Sequence, residues 1–125
     1  MNVVDSSAWL EYFADGPNAE DFAPIIKDAE SLLVPSITVY EVFKRIREQR
    51  DSEVALRAVS QMRRGRVVDL DADLAVAAAD LSAELQLPLA DSVILATARA
   101  TEATLWTQDA DFEGLDGVEY RAHRG

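Results

Sequence analysis

The chain has 125 residues, of which 49% are hydrophobic, a formal net charge of −11 and no cysteine. That length suits one domain around one core. The missing cysteines exclude a disulfide framework and a thiolate metal site and point to a reducing cytoplasm; no apolar run reaches membrane-spanning length; and the acidity argues against indiscriminate nucleic-acid binding by the whole surface.

Met1–Val4 reads as a short apolar strand that meets an acid, Asp5, too early for a signal peptide. Asp5-Ser6-Ser7 offers N-cap chemistry for a helix over about 7–14, with Trp9, Leu10 and Phe13 on its apolar side. Asp15-Gly16-Pro17 ends it and starts a second helix, in which Phe22, Ile25 and Ile26 form the buried stripe. Leu32–Val34 is a second strand, stopped by Pro35. Ser36 is the expected cap of a third helix to about Arg50, where Val39, Val42, Phe43 and Ile46 follow the i, i+3, i+4, i+7 spacing of one packed face.

A fourth helix spans about 53–62, and Val67–Leu70 is a third strand. Asp71 caps a helix to about Gln86, with Leu74, Ala78, Leu81 and Leu85 on one side. After Pro88, Ala90 or Asp91 opens a sixth helix that turns Val93, Ile94, Thr97 and Ala98 inward. Thr104–Thr107 is a fourth strand, Asp109–Phe112 a tight turn or short helix, and Val118–Tyr120 a fifth, edge strand; the tail beyond Ala122 is expected to be loose. Strands alternating with helices predict an α/β fold, a three-layer α/β/α sandwich around a parallel sheet formed by residues 1–125 as one domain.

Charge is unevenly spread. Between Lys44 and Arg66 eight basic residues face three acids, a local excess of +5 in an acidic chain. This flank is a docking surface for RNA or a pair of solvated helices with mixed charge. Trp9 and Trp106 read as core residues, with a groove position for Trp9 as the alternative, and Met62 as a gap filler. His123 stands alone near the end of the chain, without a partner for nucleophilic catalysis.

Four acids stand out. Asp5 and Asp109 follow strands; Glu41 and Asp91 lie near the starts of helices. Each has a plain local explanation: an N-cap for Asp5 and Asp91, a turn former for Asp109, a solvated charge for Glu41. Asp111 is a near alternative to Asp109 that spacing does not separate. In a parallel α/β fold, however, the carboxyl ends of strands share one rim, where ligands bind. Carboxylates gathered there repel one another and need a cation to stay ionised together. A divalent cation among carboxylates suggests phosphodiester hydrolysis.

The order Val4-Asp5-Ser6-Ser7, Pro35-Ser36 with Glu41, Leu89-Ala90-Asp91-Ser92, and Thr107-Gln108-Asp109-Ala110-Asp111-Phe112 resembles the PIN-domain family, and within it the VapC toxins of toxin–antitoxin pairs. The resemblance implies a Mg²⁺- or Mn²⁺-dependent endoribonuclease whose acidic quartet is Asp5, Glu41, Asp91 and Asp109. Ser6 and Thr107 match the hydroxyl residues beside the first and last acids, and Asp111 matches a second, less regular acid. It also implies a homodimer and a small antitoxin that blocks the cleft. On this reading Asp5 and Asp91 ligate the metal with Asp109 beside them, and Glu41 holds a metal-bound water or helps bind a second ion. An apolar groove between the first two helices and the third and fourth is the expected seat of the antitoxin, with Phe13, Phe22, Phe43 and Leu56 either lining it or simply buried.

Rival readings are weaker. Asp69-Leu70-Asp71 after a strand is similar to haloacid-dehalogenase-type phosphatases, but those need a downstream lysine, and Lys27 and Lys44 both lie upstream. A calcium loop over Asp69–Asp73 has Leu74 where glycine is required. A phospho-acceptor receiver domain also needs a late lysine. A non-catalytic PIN-like binding module is the remaining alternative, and the complete quartet argues against it.

Overall fold

A computed structural model describes residues 1–124. In chain order the elements are β1 (Asn2–Val4), α1 (Ser6–Phe13), α2 (Ala19–Lys27), β2 (Leu32–Pro35), α3 (Ser36–Gln49), α4 (Ser52–Met62), β3 (Arg66–Val68), α5 (Ala72–Leu85), α6 (Leu89–Ala100), β4 (Thr104–Thr107) and β5 (Val118–Tyr120). The five strands form one parallel sheet in the order β3-β2-β1-β4-β5. The chain winds outward from β1 to β2 and β3, then returns to place β4 and β5 on the other side. The strand order therefore reverses between β1 and β4, the crevice where open parallel sheets bind ligands.

Strand residues alternate between the two faces. Val4, Leu32 and Val34 pack with Trp9, Phe22, Val42 and Met62 beneath α1 to α4. Val3, Leu33 and Leu105 pack with Ile94, Leu95 and Phe112 on the α5–α6 side. Each such fully buried aliphatic or aromatic side chain contributes about 1.5–3 kcal/mol. Helix α6 is buried without interruption from Ser92 to Ala98, because the sheet, α5 and α3 surround it. Its hydroxyls turn back on the helix: Ser92 Oγ donates to Leu89 O at 2.7 Å and Thr97 Oγ1 to Val93 O at 2.8 Å. The connection from β4 to β5 is short for a parallel crossover. Gly114 and Gly117, at φ 80° and 78°, supply the left-handed turns that close it.

Four expectations are corrected. Ser36 does not cap α3: Pro35 holds the cap position, still extended as the last residue of β2, and Ser36 is already helical. Asp91 does not cap α6; Pro88 occupies that position and leaves Asp91 in the first turn with a free carboxylate. Pro17 lies outside α2, which begins at Ala19. The tail is tied down rather than loose through Arg124, whose Nε donates to Asn18 Oδ1 at 2.7 Å; Gly125 lies outside the described residues.

Candidate active site

Asp5 leaves β1 at the switch point. Its backbone N–H still bonds to Trp106 O at 3.1 Å, which continues the sheet by one residue. Its carboxylate then caps α1, accepting from Ala8 N at 3.0 Å. Thr107 Oγ1 donates to the other oxygen at 2.7 Å, and Ser7 Oγ lies 2.8 and 3.0 Å from the two. Asp5 is only 2% exposed. Burial pushes its carboxyl up to about 6, against these hydrogen bonds, with a further push from the charge of Asp109.

The end of β4 builds the opposite wall. Thr107 Oγ1 accepts from Asp109 N at 2.9 Å while donating to Asp5, so one hydroxyl couples the two acidic loops. Asp109 caps a single 3-10 turn (Ala110–Phe112), accepting from Asp111 N at 2.9 Å. This turn brings Asp111 round beside Asp109. Asp91 reaches the same spot from the first turn of α6: one oxygen each of Asp91, Asp109 and Asp111 lie within 4.8 Å of one another.

Glu41 enters from the second turn of α3, where its Oε1 accepts from Ser6 Oγ at 2.6 Å. The carboxyl of Asp91 is pushed up to about 7, first by burial and then by the charges of Asp109, Asp5, Asp111 and Glu41. All five acids therefore share one electrostatic neighbourhood. The residue set fits a divalent cation: the donors are hard oxygens only, and the like charges crowded around Asp91 lack a counter-charge between them.

Sequence reasoning missed the polar frame around these acids. Ser7 binds both oxygens of Asp5, a contact for which its position two residues after an Asp is the signal. Asn18, 1% exposed, had no such signal. Its N–H donates to the buried Glu11 Oε2 at 2.8 Å, and its Nδ2 to Gln108 Oε1 at 3.1 Å and Ala122 O at 2.9 Å. Gln108 N in turn points at Ser7 Oγ, 3.4 Å away.

The four side chains expected to line one apolar groove do not share one. Phe22 is fully buried in the core, and so is Trp9, which excludes a groove role for either. Phe13 lines one groove of about 630 Å³. Phe43 and Leu56 line another of about 510 Å³, together with Tyr40.

A parallel sheet with acids gathered beyond β1 and β4 defines an α/β domain with an acidic site at its topological switch point. The chain belongs to the PIN-domain family, whose model matches residues 3–118. No curated protein matches it by sequence. Its fold is similar to that of a toxin–antitoxin complex from Klebsiella pneumoniae (22% identity, TM-score 0.80, 95% of this chain and 96% of that one). It is also similar to a sarcin–ricin-loop-cleaving VapC toxin of Mycobacterium tuberculosis (17%, 0.78, 93% and 95%). A third similar structure is a VapBC complex of Rickettsia felis bound to a promoter DNA fragment (16%, 0.74, 97% of each chain). At such identities these similarities concern the fold.

Proposed function

We propose that this chain is the toxin of a type II toxin–antitoxin pair, a cytoplasmic endoribonuclease that depends on Mg²⁺ or Mn²⁺. The observation that carries the reading is the convergence of Asp91, Asp109 and Asp111 within 4.8 Å, under the field of Asp5 and Glu41. Family membership and the toxin complexes among its structural relatives support it.

Asp91, Asp109 and Asp111 would hold the cation. Asp5 would add a fourth carboxylate: Ala8 N, Thr107 Oγ1 and the single Ser7 proton fill three of its acceptor places, which leaves one for a ligand bond. A bound divalent ion supplies the charge that acidifies a water and stabilises the oxygens of the reacting phosphate. Glu41, steered by Ser6, orients the attacking water and accepts its proton. Thr107 keeps Asp5 and Asp109 in register. The apolar patch of Tyr40, Phe43 and Leu56 supports a protein partner, either an antitoxin or a second copy.

The test is cleavage of total RNA. The purified chain cuts it with Mg²⁺ or Mn²⁺, stops with EDTA and recovers with Mn²⁺. Asp91→Asn and Asp5→Asn reduce the rate by about 10²-fold or more, the range for loss of a transition-state electrostatic contact. Equal cleavage by these variants would refute the assignment.

A further inference from the structure

The groove of about 630 Å³ runs between α1 and the facing sides of α3 and α4, and its inner end is formed by Ser7 and Gln108. Ser7 is the residue whose hydroxyl binds Asp5, and Gln108 directly precedes Asp109. The groove therefore ends at two residues that adjoin the acidic site. Leu10, Phe13 and Ile46 give it an apolar floor, Arg45, Arg50 and Arg57 stand around it, and its one acid, Glu11, is engaged by Asn18 N at 2.8 Å. Arg57 is tied to Glu53 at 2.8 Å on the surface of α4. Arg45 and Arg50 are exposed and form no ion pair among the described residues.

Two unneutralised guanidiniums in a chain of net charge −11, beside a site that handles phosphodiesters, call for an anionic occupant. Guanidinium forks match phosphate oxygens in geometry as well as charge. An apolar floor beneath them accepts an unstacked base, the form in which single-stranded RNA is held. An apolar polypeptide segment would satisfy the floor and leave both arginines without counter-charge.

We infer that this groove seats the single-stranded RNA next to the cleaved phosphodiester, with Arg45 and Arg50 on successive phosphates and the Leu10–Phe13–Ile46 floor under a base. This rests on the nuclease reading above and assigns it a substrate path. Both arginines are positioning residues, remote from the reacting atoms.

The experiment compares Asp91→Asn protein with the same protein carrying Arg45→Gln and Arg50→Gln. Binding of a short fluorescein-labelled oligouridylate is followed by anisotropy over a range of KCl concentrations. The double replacement is expected to weaken low-salt binding at least about tenfold and to flatten the slope of log affinity against log salt by about 1.4, since each single-strand phosphate contact contributes about 0.7. A structural role for the arginines would leave that slope unchanged. In the otherwise unaltered chain the same pair is expected to slow Mn²⁺-dependent cleavage of total RNA. An unchanged salt slope, with cleavage by the parent intact, overturns the groove assignment and leaves the nuclease reading standing. A parent that cleaves no RNA with Mn²⁺ overturns both.

Discussion

Asp91 sets the behaviour of the site because it feels every other acid in it. Its carboxyl rises from 3.8 to about 7 on folding, and that of Asp5 from 3.8 to about 6. A folded pKa above the unfolded one means that the native state binds more protons across this window. The stability contributed by the protonated carboxyls is present below about pH 4 and lost as the pH rises through about 6 to 7. The cation-free protein should therefore melt lower at about pH 7.5 than at about pH 5, as far as these groups decide it. Asp91→Asn should melt above the parent at the higher pH, with the gap closing towards about pH 4, as scanning calorimetry would record. Mg²⁺ should raise the parent's melting temperature at the higher pH and much less at the lower, because protonated carboxyls do not ligate. A melting curve indifferent to pH and to Mg²⁺ would contradict the clustering itself.

Asp5 has two duties that substitutions can separate. Asp5→Asn keeps an oxygen for Ala8 N, removes the charge and turns the oxygen facing Thr107 into an amide donor that Thr107 Oγ1 can accept from, so the fold should hold while cleavage is lost. Asp5→Ala removes the cap and strands the buried Thr107 hydroxyl, which should cost roughly 1–3 kcal/mol of stability in urea unfolding.

Among the elements, the α1–α2 corner acts as a clamp. Glu11 bends back to bond Asn18 N, and the Asn18 side chain ties the residue before Asp109 to the chain beyond β5. A Cβ at Gly16 would overlap the Glu11 carboxylate, which explains a glycine there. Asn18→Ala should leave Gln108 Oε1 and Ala122 O without their donor, at a cost of about 1–3 kcal/mol in urea unfolding. Hydrogen exchange should rise in the 107–111 loop more than in α5. Helix α5 ends on Gln86 in the left-handed region, at φ 58°. Gln86→Gly should relieve that strain and raise stability by about 0.5–1 kcal/mol in thermal melts. A drop in melting temperature would show that the Gln86 side chain, which donates to Ala83 O at 3.2 Å, matters more than the strain.

For the molecule as a whole, the proposed toxin role predicts a cellular effect. Induced alone in a bacterial host, the chain should arrest growth, and Asp91→Asn should relieve the arrest by at least about tenfold in colony count, in line with its expected loss of catalysis. Growth arrest that persists with Asp91→Asn would point to toxicity by binding. No described helix is long and apolar enough to cross a membrane.

Much of the architecture was legible along the chain. Strands β4 and β5 lie where the sequence reading put them, and the expected cap at Asp71 is formed by its own side chain. These features depend on neighbours a few residues away, so the local pattern carries them. The four acids were legible as strand-end and helix-start residues for the same reason. The structure added what depends on folding in space: the Thr107 bridge to Asp5, the Asn18 clamp, and Asp111 turned to stand beside Asp91 and Asp109. It also decided against Ser36 and Asp91 as caps, because the prolines before them set where each helix begins. Sequence by itself thus determined the elements and the inventory of charges. Only the closing of β4 against β1 decided which charges share a field, because Coulomb interactions follow distance in space and take no account of order along the chain.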